Sequence, residues 1–220
     1  VAPKGTPQRS ICFEQPARRD SATVFRLAFR VTTRAQYFDP EELSKRVEPY
    51  DTLSEVYRKY TAQRPPHLVF SERIERKARE LAGGETDPVR IVSRIYDWID
   101  DIPWAGAIEY GVIPNIPEYV LDAGHGDCGQ VSLLLIAMLR SVGIPARWES
   151  GWMLHPGHVG LHDWGSVYYE GVGWVPLDIS FGKLAASADP AVRDFYKTGM
   201  DSYRLVVNSD YGYPFDPPKR

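Results

Sequence analysis

Residues 127–145 constrain the chain more than any other stretch. Asp127, with Gln130 three residues on, forms the reciprocal pattern that caps a helix N-terminus. Val131, Leu134, Leu135, Met138, Leu139 and Val142 follow at i, i+3, i+4, i+7, i+8 and i+11, which makes one apolar face. Gly143 supplies a left-handed stop, and Pro145 forbids continuation. Short β-prone runs come next, at Ala146 to Met153, Asp163 to Tyr169, Trp174 to Asp178 and Tyr203 to Val207. Gly171-Val172-Gly173 reads as a hairpin turn. Upstream, Ser71 to Leu81 reads as a helix stopped by Gly83-Gly84. A second starts at Asp87-Pro88 and carries the stripe Ile91, Ile95, Trp98 and Ile99. Helices first and strands later predict an α+β fold with an antiparallel sheet.

The rest of the chain is less regular. Val1 to Asp20 reads as an extended arm, and Thr23 to Thr33 as a strand. Asp39 to Pro66 is polar and Pro-broken, with a short helix near Leu53 to Tyr60. Gly111 to Tyr119 holds two Pro and an Asn and reads as a long loop. The 220 residues, 43% of them hydrophobic, suffice for one core. The net charge of −3 speaks against nucleic acid as a partner. Arg73, Arg76, Lys77 and Arg79 are interleaved with Glu72, Glu75 and Glu80, the pattern of a solvated helix face. No run reaches the ~18 apolar residues of a membrane span, and no secretory signal is present in this segment. The Pro-rich segment Tyr213 to Arg220 resembles a linker. Further domains of a longer, extracytoplasmic protein are therefore expected, with localisation otherwise open.

The chemistry concentrates at Cys128, the first residue of the predicted helix. A helix N-terminus favours a thiolate, and its unpaired N–H groups can hold an oxyanion. Gly126 and Gly129 flank the thiol without side-chain bulk, as if to admit a substrate backbone. Cys12 lies in a different, polar and Pro-rich context, which argues against a disulfide between the two. A thiol nucleophile needs a base, and the base an orienting group. With the turn centred near Gly171, strand positions summing to 342 face each other, so His162 and Asp178 become diagonal neighbours on one sheet face. A slip of one residue would separate them.

Four motifs occur in order: Gly126-Asp127-Cys128, Gly143-Ile144-Pro145-Ala146-Arg147, His162-Asp163-Trp164, and Gly173-Trp174-Val175-Pro176-Leu177-Asp178. Together they resemble the transglutaminase-like superfamily, over roughly residues 71–182. The resemblance implies a papain-like core in which the Cys-bearing helix packs on an antiparallel sheet bearing His and Asp. It further implies a triad of Cys128 as nucleophile, His162 as base and Asp178 as orienting acid, with no cofactor. An imidazolium–thiolate pair would attack an amide of a peptide or protein substrate and form a thioester. Water or an amine would resolve it, with hydrolysis preferred. The competing expectation is an inactive peptide- or protein-binding module of the same fold.

Domain limits follow as 1–66 for the N-terminal arm, strand and irregular segment, 67–212 for the catalytic domain, and 213–220 for the tail. Trp164, Asn115 and Tyr119 are the expected substrate-binding residues. Trp164 lies two residues from His162 on one strand face, and the other two lie in the loop before the nucleophile. A second oxyanion donor is not evident among Tyr110, Asn115 and Tyr119, and Asp122 would repel an oxyanion. His155, His158 and His162 are spaced like metal ligands, but Pro156-Gly157 and Gly160 break any helix that would align them, so no metal is expected.

Overall fold

The computed structural model describes residues 6–8, 10–106, 108–181 and 189–213. The elements run β1 (Gln36–Tyr37), α1 (Pro40–Arg46), α2 (Glu55–Thr61), α3 (Glu72–Ala82) and α4 (Pro88–Asp100), then a 3-10 turn (Tyr110–Val112) and α5 (Ile116–Ala123). They continue with α6 (Cys128–Ser141), β2 (Ala146–His155), β3 (His158–Tyr169), β4 (Gly173–Leu177), α7 (Pro190–Phe195), β5 (Gly199–Met200) and β6 (Arg204–Asn208). The main sheet has the antiparallel order β4-β3-β2-β6, and β1 pairs with β5 in a small second sheet.

The helix boundaries have local causes. The Ser71 hydroxyl accepts from the Ile74 N–H at the start of α3, and Gly83 ends that helix at φ 57°. Asp87 caps α4, with Pro88 in its first turn. At α6 both halves of the capping box form. The sequence predicts one buried face for α6, yet every residue from Gly129 to Arg140 is buried. The reason is position: α3, α4 and α5 pack on one side of α6, and β2 and β3 on the other. A helix enclosed by two layers has no solvent face. The Arg140 guanidinium is accommodated by donating to the Ala146 and Ala62 carbonyls, each at 2.8 Å.

The hairpin register is the predicted one. Gly165 faces Leu177, Val167 faces Val175 and Tyr169 faces Gly173, each pair summing to 342. Two expectations fail. Thr23 to Thr33 is no strand: Phe25, Leu27, Phe29 and Val31 are exposed, and no described element pairs with the segment. Apolar alternation makes a strand only where a neighbour supplies hydrogen bonds. The stretch Gly111 to Tyr119 is no continuous loop, because α5 begins at Ile116. Pro117 sits in the first helical turn, where a missing N–H costs nothing. Residues 214–220 of the expected tail lie outside the described residues.

Candidate active site

Cys128 opens α6. The Asp127 carboxylate accepts from the Gln130 N–H at 2.9 Å, and the Gln130 side chain accepts from the Asp127 N–H at 3.1 Å. That leaves the N–H groups of Cys128 and Gly129 without an intrahelical acceptor. The chain just before the thiol is strapped down: the Gly126 N–H donates to the Pro103 carbonyl at 3.2 Å, and the Ala105 N–H to the Gly126 carbonyl at 3.1 Å. This strap brings Trp104 beside the nucleophile's loop.

The hairpin supplies the other half. His162 Nε2 lies 2.8 Å from Asp178 Oδ2. An ionised carboxylate only accepts, so Nε2 carries the proton and Nδ1 is left with the lone pair. Asp178 is fully buried and its oxygens are heavily solvated by protein. Oδ1 accepts from the Ser180 N–H at 3.1 Å, the Ser180 hydroxyl at 3.2 Å and the Phe181 N–H at 2.9 Å. Oδ2 also accepts from Arg204 Nη1 at 2.8 Å. Burial alone would raise this pKa, but His162, Arg204 and the Phe181 N–H hold it well below the usual carboxylate range. Arg204 also donates through Nε to Asp201 at 3.1 Å and lies over the Phe181 ring. No local pattern points to Arg204, which stands 26 residues from Asp178 on β6.

Cys128 and His162 line one cavity of about 570 Å³. Its apolar wall is Trp104, Met153, Leu161 and Phe181, and His155 and His158 complete it. The β2–β3 hairpin sets His155 opposite His158. Among the described residues no group of three or more His, Cys, Asp or Glu side chains is arranged to hold a metal ion. Both cysteines are free thiols.

The thiol departs from expectation. Its hydrogen bond goes to Asp163 Oδ2 at 3.7 Å. Burial, then the charges of Asp163 and Asp127, push its pKa well above the ordinary thiol range. A helix N-terminus contributes only ~0.3–1 kcal/mol toward the thiolate, too little to offset burial beside two acids. Burial and these two acids thus disfavour the thiolate that the helix N-terminus by itself favours. Burial, followed by Asp127, also raises Asp163 to about 6 against the opposing effect of His162. Nor do the flanking glycines hold open space for a substrate. A methyl on Gly129 would meet the Tyr110 hydroxyl and would stand 2.7 Å from Asp163 Oδ2. One on Gly126 would lie 3.2 Å from Gln130 Cβ.

Trp164 is buried, stacks on His162 with ring centroids 6.0 Å apart, and donates to Glu149 Oε2 at 2.9 Å. It backs the imidazole and does not line the cavity. Asn115 and Tyr119 are not among the lining residues either. The Asn115 amide donates to the Val69 carbonyl at 3.1 Å, and Tyr119 packs edge-on against His125. The Tyr110 hydroxyl donates to Asp127, and Asp122 pairs with Arg73. Residues missed by sequence reasoning are Trp104, Met153, Leu161 and Phe181 on the wall, Arg204 behind Asp178, and Asp163 against the thiol. Asp163 was visible within the His162-Asp163-Trp164 motif, but nothing in sequence gave it a partner.

Residues 75–179 match the sequence profile of the transglutaminase-like superfamily. The uncharacterized protein YebA of Bacillus subtilis (strain 168) is 23% identical over 130 residues, 50% of this chain and 18% of its own length. The fold resembles that of a Cytophaga hutchinsonii protein provisionally described as a cysteine protease, with TM-score 0.51 and 21% identity over 61% of this chain and 45% of that one. The periplasmic domain of TgpA from Pseudomonas aeruginosa gives TM-score 0.46 at 21% identity, over 66% of this chain and 54% of that one. The chain thus spans about half of these two structures and under a fifth of the B. subtilis relative.

Proposed function

Residues 75–179 being a transglutaminase-like superfamily domain, we propose that this chain is a thiol enzyme acting on amide bonds of peptides or proteins through Cys128, His162 and Asp178. The observation that carries this reading is the buried His162–Asp178 hydrogen bond, whose imidazole lines the same cavity as Cys128. The catalytic unit is assigned to residues 67–212. No helix among the described residues is long and apolar enough to cross a membrane.

In the proposed reaction, His162 Nδ1 takes the thiol proton as sulfur attacks the substrate carbonyl. The carbonyl π pair moves to oxygen, facing the free N–H groups of Cys128 and Gly129. Collapse breaks the C–N bond, and the imidazolium gives its proton to the leaving amine. A thioester remains. Water, deprotonated by the same nitrogen, releases the acid and restores the thiol. An amine in place of water gives transamidation. Hydrolysis is preferred, because no residue of the site calls for an amine acceptor. Asp178 holds the Nε2–H tautomer and stabilises the imidazolium. Trp164 acts from behind by shielding the ring.

A peptide-library turnover assay with a thiol-directed peptide probe tests this. Cys128→Ala should abolish turnover and labelling. Asp178→Asn, which presents the wrong hydrogen-bond donor to the ring, should lower turnover by about 10²–10⁴-fold. Labelling of wild type and His162→Ala at equal rates would favour a binding module instead. The thiol's bond to Asp163 is the one observation on that module's side.

A further inference from the structure

Asp163 is a buried-site carboxylate with an unusual set of neighbours. Among the described residues no Lys, Arg or His forms an ion pair with it, and the Cys128 thiol is its hydrogen-bond donor at 3.7 Å. The groups facing it are Asp127 and Cys128 at the start of α6, Tyr110 from the 3-10 turn, His162 on its own strand, and Asp178 beyond β4. The Tyr110 hydroxyl is already given to Asp127. Gly129 lies directly beneath this arrangement, and any side chain there would displace both Tyr110 and Asp163. The fold thus sets a carboxylate against the sulfur, with His162 the one cationic influence among the described residues opposing its burial. A carboxylate in that place opposes a second negative charge at 3.7 Å.

Resting on the thiol-enzyme reading above, we infer that Asp163 is a positioning residue that holds the resting Cys128 as a thiol, and that neutralising Asp163 releases the nucleophile. When Asp163 takes up a proton, the anion opposing the sulfur disappears. The thiol proton can then move to His162 Nδ1, giving thiolate and imidazolium with no change in net protons on that pair. Asp163 itself is raised to about 6 by burial and by Asp127, so release falls in mildly acidic solution. The consequence is an enzyme more reactive at slightly acid pH than its thiol alone would allow.

The test uses the full chain and iodoacetamide, with Cys128 alkylation followed on its own peptide by mass spectrometry so that exposed Cys12 does not interfere. Asp163→Asn is expected to alkylate at least about tenfold faster than wild type at pH 7, with the midpoint about one unit or more lower. Asp163→Glu keeps the charge and is expected to stay near wild type. An Asp163→Asn rate equal to or below wild type overturns the inference, since damage to the site does not speed a nucleophile. Wild type provides a measurement that needs no variant. Between pH 7.5 and 5.5 an ungated thiol slows about a hundredfold. The inference requires a loss of less than about tenfold, and the full hundredfold loss overturns it. Turnover of peptides distinguishes the two readings. Unchanged Asp163→Asn alkylation with peptide turnover that is lost in Cys128→Ala defeats the role of Asp163 alone. Faster alkylation with no amide substrate found defeats the enzymatic reading alone.

Discussion

Two acids of one site are pushed in opposite directions. Asp178 is held ionised by His162, Arg204 and the Phe181 N–H. The stability it contributes is present above its unfolded value, ~3.9, and is lost as pH falls through its depressed folded value. Asp163 is the reverse case. Its folded value of about 6 lies above the unfolded one, so its contribution is present below about pH 4 and is lost as pH rises through about 6. Keeping Asp163 charged at neutral pH then costs on the order of 3 kcal/mol. Asp163→Asn is therefore expected to melt higher than wild type at pH 7, with the difference vanishing near pH 4. Thermal unfolding at the two pH values checks this, and an equal difference at both would show that the charge is not the cause. Neither direction was legible in sequence. Residues 162–164 show an acid beside a histidine, but only the packing of α6 against β3 sets that acid on the sulfur.

At the scale of elements, caps, turns and periodicity told most. The α6 start was read from Asp127 and Gln130, and the hairpin register from Gly171, because both are contacts within a few residues. The β2–β6 pairing is another matter. Its register shifts between Ser150 and Gly151, and β6 approaches so closely there that a methyl on Gly151 would run into the Leu205 carbonyl and sit 2.9 Å from the Val207 nitrogen. Gly151→Ala is expected to destabilise by about 1–3 kcal/mol, through forced backbone movement rather than loss of a contact. It should also reduce turnover, because β6 delivers Arg204 to Asp178. Urea unfolding together with the peptide assay checks both. Full stability with normal turnover would show that β6 can be reseated without consequence.

For the molecule as a whole, the site is completed by chain beyond the family-matched segment. That segment ends at residue 179. Yet the Asp178 N–H donates to the Tyr196 carbonyl at 2.9 Å, and its side chain receives Arg204. From the other direction, the Tyr96 hydroxyl donates to the Asp178 carbonyl at 2.7 Å. Arg204 is itself buried and shared between Asp178 and Asp201. Removing one partner of such a pair strands a buried charge, at a cost of about 3–5 kcal/mol. Arg204→Met should lower stability by that amount and narrow the pH range over which the fold persists, whereas Arg204→Lys should recover part of it. Denaturation of the two variants at pH 7 checks this, and a loss below about 1 kcal/mol would mean that the pair is dispensable.

The helix carrying Cys128, the two helices upstream of it and the register of the β3–β4 hairpin were legible in sequence alone. Each rests on spacing, and spacing acts between neighbours along the chain. The burial of the thiol, the company of Asp163 and the arrival of Arg204 were decided by the tertiary structure. Burial and long-range charge depend on which distant segments meet, and no local pattern encodes that.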